Sequence, residues 1–166
     1  LSEQDNDLLE FTRTMMWLRR DHPVLRRRRF FTGDAGHGGE SELGEIEWLT
    51  PAGESMTDQD WTTWYARAMM VFLNGEAIAE PDERGQRIVD DSFLVLINAS
   101  DEDITFTLPG EGYATTWKVA LDTAPAVDGD SDPVLAADDT VVVEARSMLF
   151  LMDAPDSTAT TERLQH

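Results

Sequence analysis

Apolar residues recur at every second position in much of the second half of the chain, and this period constrains the fold more than any other feature. Residues 93–97 are apolar on both faces, which predicts a strand at the centre of a sheet. Residues 104–108 alternate with Thr105 and Thr107, which predicts a strand with one face in water. Further strands are predicted at residues 117–121, 141–143 and 148–152. Short strands separated by turn residues are typical of an antiparallel β-sandwich, so we expect a mainly β fold.

The N-terminal region has a helical period instead. Leu8, Phe11, Met15 and Leu18 recur at spacings of three and four, as residues on one face of an α-helix do. Pro23 disfavours helical geometry at the residue before it, so we expect the helix to end there. The four apolar residues, here called the helix stripe, need a partner surface. That surface is either the rest of this chain or a part of a longer protein.

The charge of the chain excludes several classes of partner. The 33 acidic and 13 basic residues give a net charge of −20, which repels nucleic acids and anionic lipids but does not penalise a neutral sugar polymer. No apolar run approaches the roughly 18 residues that a membrane span needs. Cysteine is absent, which excludes disulfides and cysteine-ligated zinc and fits a reducing cytoplasm. We therefore expect a cytoplasmic protein that binds neither nucleic acid nor membrane.

The basic residues are concentrated in one segment. Six of the 13 are arginines between positions 19 and 29. Such a cluster can bind phosphate or nucleic acid. Against the acidic background we favour the alternative, in which these arginines pair with carboxylates of this chain or of a neighbouring domain.

Six segments, taken in order, resemble the end of one enzyme family. They are LLEFTRTMMWLRRDHPVLRRRRFF (8–31), IEWLTPAGESMTDQDW (46–61), VFLNGEAI (71–78), DDSFLVLINA (90–99), WKVALDTA (117–124) and ARSMLFL (145–151). Together they resemble the C-terminal part of glycogen debranching enzymes of the isoamylase and TreX type, in the α-amylase superfamily (glycoside hydrolase family 13). The glycine-rich stretch 34–44 and the acidic loop 127–139 match nothing in that pattern, and their role stays open.

The resemblance implies a parent enzyme that hydrolyses α-1,6-glucosidic branch linkages in glycogen. It also implies that residues 1–31 are the last helix of a TIM-type barrel and its exit segment. Residues 32–152 would form the C-terminal β-sandwich, and 153–166 a polar, disordered tail. Because such a barrel takes about 250 residues, the catalytic domain lies outside this chain. The family's catalytic motifs are not found here, so we expect no catalytic residue, cofactor or metal, and a piece that is inactive alone.

The expected role is therefore to pack on the barrel of the parent enzyme and stabilise it. Glycogen is expected as a partner of the parent enzyme. In that arrangement the helix stripe faces the barrel. Without the barrel the stripe is exposed, and an exposed apolar stripe of this kind favours self-association.

An autonomous glucan-binding module is the alternative function. Such a module needs exposed aromatic rings on which sugars stack, and Trp61, Trp64 and Tyr65 follow an acidic turn where exposure is expected. Trp117 alternates with a polar residue inside a predicted strand, which favours core packing. The same reasoning favours core packing for Trp48.

The sequence also contains one candidate metal-binding loop. Asp128, Asp130, Asp132 and Asp139 have the spacing of carboxylates in a calcium loop, but Pro133 stands where the loop's sharp turn needs glycine. A solvated acidic loop is therefore favoured. The three histidines, His22, His37 and His166, have no partner at zinc or triad spacing, so structural roles are expected for them.

Overall fold

The computed structural model describes residues 3–31, 43–63, 67–124 and 133–154, with side chains of the first helix described from Asn6 onward. The chain forms two units. The helix unit contains the residues up to Glu45 together with Asn74–Asp91, and the sheet unit contains Ile46–Leu73 and the residues from Ser92 onward.

The sheet unit consists of antiparallel strands in two sheets. Its strands are β1 (Ile46–Leu49), β2 (Ala68–Leu73), β3 (Phe93–Asn98), β4 (Ile104–Thr107), β5 (Thr116–Asp122), β6 (Val134–Ala136), β7 (Thr140–Val143) and β8 (Ser147–Asp153). Six of them form one sheet in the order β1-β2-β3-β8-β5-β6, and β4 pairs with β7 in the other. The mainly β fold and the antiparallel β-sandwich are thus confirmed.

The core of the sheet unit follows from the register of its central strands. β3 pairs with β2 on one side and with β8 on the other, which confirms its predicted central position. Leu49, Met70, Leu96 and Leu149 therefore form one buried row across four strands. Trp117 is fully buried and makes an edge-to-face contact with Phe72, their ring centroids 6.4 Å apart. Core packing is therefore the correct interpretation of Trp117.

The described part of the acidic segment contains more structure than a loop. β6 pairs with β5, and the turn after it places Asp138 at a φ of 63°. The carboxylate of Asp139 accepts a hydrogen bond of 2.8 Å from the backbone N–H of Ala136. Asp139 thus stabilises its own turn. The other three aspartates of the candidate calcium loop, Asp128, Asp130 and Asp132, lie outside the described residues.

The helix unit begins with helix α1 (Glu3–Asp21), which ends directly before His22 as Pro23 predicts. A 3-10 turn follows at Pro23–Arg26, and a second one occupies Gly75–Ala77. A Cβ atom at Gly75 would lie 2.2 Å from the carbonyl oxygen of Asp90, so this turn requires glycine because the backbone passes too closely for any side chain. Among the described residues, no helix has both the length and the apolar character that crossing a bilayer needs.

The predicted domain boundaries, 1–31, 32–152 and 153–166, stay a prediction. The segments 32–42 and 155–166 lie outside the described residues, and these are the segments that would place the first boundary and test the tail.

Candidate functional site

The helix stripe is only partly covered in this chain. Leu8 is 66% exposed and Met15 is 45% exposed, whereas Phe11 and Leu18 are half-buried. Other large apolar side chains of α1 are also exposed, namely Leu9, Met16 and Trp17. The helix therefore presents apolar surface to solvent over several turns. Which surface the stripe faces in a longer protein stays a prediction.

One arginine of the basic segment enters a buried ion pair. Arg27 Nη1 lies 3.2 Å from Glu45 Oε1, and the two side chains are 8% and 7% exposed. Arg27 also donates a hydrogen bond of 3.0 Å to the carbonyl oxygen of Asn74. Burial lowers the pKa of Arg27, while the neighbouring carboxylates of Glu45 and Glu80 oppose that shift.

A second ion pair involves Arg20, whose Nε lies 2.9 Å from Asp21 Oδ1 at the surface. The predicted pairing of the arginines with carboxylates of the chain is therefore confirmed for Arg20 and Arg27. Of these two pairs, the buried one between Arg27 and Glu45 joins segments of the helix unit that are distant in sequence.

Folding brings His22 to a pair of carboxylates that sequence reasoning missed. His22 Nδ1 lies 2.9 Å from Asp90 Oδ1 and 3.9 Å from Asp91 Oδ2. Asp90 also accepts hydrogen bonds of 2.9 Å from the backbone N–H groups of Val24 and Asp91. These three side chains could hold a metal ion, but the direct hydrogen bonds already satisfy Asp90. The cluster is best understood as a clamp that fixes the chain at the end of α1.

Two exposed indole rings meet at the edge of the large sheet, where they form what we call the aromatic corner. Trp48 on β1 is 39% exposed, and Trp61 on helix α2 (Asp58–Thr62) is 49% exposed. Their ring centroids lie 5.3 Å apart, and the ring planes make an angle of 74°. The expectation that Trp48 belongs to the core is therefore wrong, while the exposure expected of Trp61 is observed. Trp64 and Tyr65 lie outside the described residues.

The backbone around the aromatic corner is fixed by a tight turn. Residues 50–53 form a β-turn in which the Gly53 N–H donates to the Thr50 carbonyl at 3.0 Å, with Pro51 at its second position. Gly53 has a φ of 83°, which favours glycine. After this turn the Met56 N–H donates a hydrogen bond of 2.8 Å to the carbonyl oxygen of Trp48. The turn thus returns the chain beside β1 and leads it into α2.

Helix α2 is fastened at its start by its own side chains. The Asp60 carboxylate accepts hydrogen bonds from the Thr57 hydroxyl at 2.7 Å and from the Thr57 backbone N–H at 2.8 Å. These bonds hold the pKa of Asp60 below its ordinary value, with the hydroxyl contributing most. The sequence predicts a helix start at residues 57–60, and this is confirmed. Ionised Asp60 therefore fixes the helix that carries Trp61.

Tyr113, a further aromatic residue of the sheet unit, packs against the core. Its ring makes an edge-to-face contact with buried Phe72 at 5.0 Å, and burial raises the pKa of its phenol. This arrangement is a core contact rather than an exposed platform.

Comparison with known proteins identifies the family. The model of the family described as isoamylase, C-terminal, matches residues 45–154, which is more than half of the chain. The chain is also 50% identical over 151 residues to proteins described as "Glycogen operon protein GlgX homolog" from Mycobacterium bovis and from two strains of Mycobacterium tuberculosis. The match covers 91% of this chain but 21% of each relative, so the chain spans about a fifth of their length. The predicted resemblance is confirmed, and this chain belongs to the isoamylase C-terminal family.

Proposed function

We propose that this chain is a non-catalytic domain of a cytoplasmic glycogen-debranching hydrolase, in which it packs on the catalytic barrel and stabilises it. The observation that carries the proposal is the 50% identity to relatives described as glycogen operon proteins, of which the chain spans 21%. An enzyme of this class would hydrolyse α-1,6-glucosidic branches with carboxylates supplied by the barrel. Glycogen would then be a partner of the whole enzyme.

The exposed part of α1 supports the packing role. A surface helix of a stable protein normally buries its apolar face, yet Leu8 is 66% exposed and Met15 is 45% exposed. Burying one such side chain contributes about 1.5–3 kcal/mol. Burial of the exposed part of the helix stripe would therefore help to hold this domain on a barrel. In the 166-residue chain alone, where the barrel is missing, a second copy of the chain would cover the same stripe.

The proposal can be tested in a chimera. This chain replaces the matched part of the Mycobacterium tuberculosis relative, and the release of reducing ends from glycogen and the thermal midpoint are measured. We expect an active chimera, because the chain would dock on the relative's remaining domain. The double substitution Leu8→Asp with Met15→Asp should lower its unfolding free energy by about 3 kcal/mol, because two apolar contacts are lost.

Val142→Asp is the matched control, because Val142 is an exposed apolar residue of β7 and lies outside the helix stripe. It should leave stability and activity near those of the parent chimera. An active chimera that tolerates the Leu8 and Met15 substitutions as well as this control would contradict packing through the stripe. A folded chimera that releases no reducing ends from glycogen would contradict the debranching assignment.

A further inference from the structure

We propose that the aromatic corner, Trp48 and Trp61, is a binding site for an α-glucan chain. The stacking of a pyranose ring requires an indole face that solvent can reach, and both rings are substantially exposed. Because the two ring planes make an angle of 74°, the pair forms an angled surface rather than a flat one. A sugar ring can lie on the face of one indole while its neighbour contacts the edge of the other.

The aromatic corner is organised before any ligand arrives. Trp48 is held by the pairing of β1 with β2 and by the hydrogen bond from Met56. Trp61 is held by α2, which Asp60 and Thr57 fasten at its start. A ligand therefore does not have to order these rings, which lowers the entropic cost of binding.

The charge of the segment selects against anions and favours hydroxyl groups. Residues 46–63 contain four carboxylates, those of Glu47, Glu54, Asp58 and Asp60, and neither lysine nor arginine. Phosphate-bearing ligands are repelled by such a segment. The hydroxyls of a neutral sugar can donate hydrogen bonds to carboxylates, and hydrogen bonds to an ionised acceptor are the stronger kind. Asp58 is the first residue of α2, the helix that carries Trp61, and it is exposed.

A protein partner fits this surface less well. Of the described residues next to Trp61 in sequence, the exposed ones are polar, namely Thr57, Asp58, Gln59 and Thr62. A stable protein interface buries about 800 Å² on each partner and has an apolar centre. Two indole rings within a polar and acidic rim are too small a centre for that purpose. They match the size of one or two sugar rings.

The choice of an α-glucan rests on the proposed function, since the relatives are described as glycogen operon proteins. An open site with two rings should bind a single short glucan with a Kd of about 1 mM, because few contacts are made. Glycogen presents many chain ends, so a second site in the whole enzyme would raise the apparent affinity by avidity. The site would then hold the polymer while the barrel acts on it.

Affinity electrophoresis of the 166-residue chain tests the site. Mobility is measured in native gels with glycogen, with dextran (an α-1,6-linked glucan) and without polysaccharide. We expect glycogen to retard the chain, and Trp61→Ala or Trp48→Ala to weaken the retardation about fivefold, because one aromatic contact is lost. The control is Trp17→Ala, which removes an indole of similar exposure, 55%, from α1 and should leave the retardation unchanged.

Trp48→Phe and Trp61→Phe are controls for loss of folding. Each keeps an aromatic ring and should keep part of the retardation. Circular dichroism checks that each variant is folded. The proposal is overturned if glycogen does not retard the folded chain or if all variants, including Trp17→Ala, are retarded equally. The activity of the chimera is a separate measurement. The absence of glycogen binding at the aromatic corner would therefore leave the proposed packing role to be decided by the chimera alone.

Discussion

The two units of this protein are stabilised in different ways. The sheet unit buries a continuous apolar core, including Leu96, Phe106 and Trp117, and its ion pair between Arg67 and Asp101 lies at the surface. The helix unit has the opposite arrangement. Its ion pair between Arg27 and Glu45 is buried, while large apolar side chains of α1 are exposed.

The difference indicates which unit can stand alone. A buried apolar core supplies the dominant favourable term in folding, so the sheet unit carries its own source of stability. Buried ion pairs are weak sources of stability because desolvation offsets much of their attraction, although they fix geometry well. The helix unit therefore has a defined local structure, but among the described residues large apolar side chains of α1 stay exposed. This is the arrangement expected of a segment that completes its packing on another domain.

The largest expected effect is a cavity in the sheet unit. Trp117→Ala should lower the free energy of unfolding by about 3–5 kcal/mol, because it removes the largest buried side chain of the core. Trp17→Ala, on the exposed face of α1, should change it by less than about 0.5 kcal/mol. Urea denaturation followed by circular dichroism measures both. Equal losses from the two substitutions would remove the contrast between the units.

The buried ion pair of the helix unit gives the next largest effect. Arg27→Met should cost about 3 kcal/mol, because the Glu45 carboxylate then stays buried without its guanidinium. The double variant Arg27→Met with Glu45→Leu should cost less than Arg27→Met alone, since the buried charge is also removed.

Arg67→Met is the matched control for Arg27→Met in the sheet unit, since its pair with Asp101 has a separation of 3.6 Å and is exposed. Surface pairs of this kind contribute about 0–1 kcal/mol, so this variant should be nearly neutral in the same denaturation experiment. A loss as large as that of Arg27→Met would show that burial does not distinguish the two pairs.

The smallest effect concerns the start of helix α2 and depends on pH. Because the pKa of Asp60 is lowered by Thr57 in the folded state, its stabilising contribution is present above the ordinary value of 3.8. It is lost as the pH falls through the lowered pKa, when the carboxylate is protonated and its hydrogen bonds from Thr57 weaken. The near-ultraviolet circular dichroism of the aromatic corner should therefore decrease in that range.

Asp60→Asn should remove this decrease in the circular dichroism from the acid titration. Asp58→Asn is the control and should retain it, because the hydrogen bonds from Thr57 go to the carboxylate of Asp60. A step that survives Asp60→Asn would mean that another carboxylate controls the corner.

Much of the fold could be predicted because its causes are local. The unbroken apolar run at residues 93–97 predicted the central place of β3, and Pro23 predicted the end of α1. Trp48 shows where local reasoning fails. Its alternation indicates a face of a strand, but β1 is an edge strand, and whether that face is covered depends on segments distant in sequence. The short strand β6 was missed because its partner β5 decides it, in a segment whose composition favours a loop.

The sequence by itself determined the antiparallel sheets, the amphipathic helix and the family, because periodicity, proline and ordered motifs are properties of neighbouring residues. Tertiary structure alone decided the pairing of His22 with Asp90, 68 residues away, and the burial of Arg27 with Glu45. It also decided the meeting of Trp48 with Trp61 at a sheet edge. These contacts join side chains whose separation along the chain carries no signal, since only the completed fold fixes the distance between them.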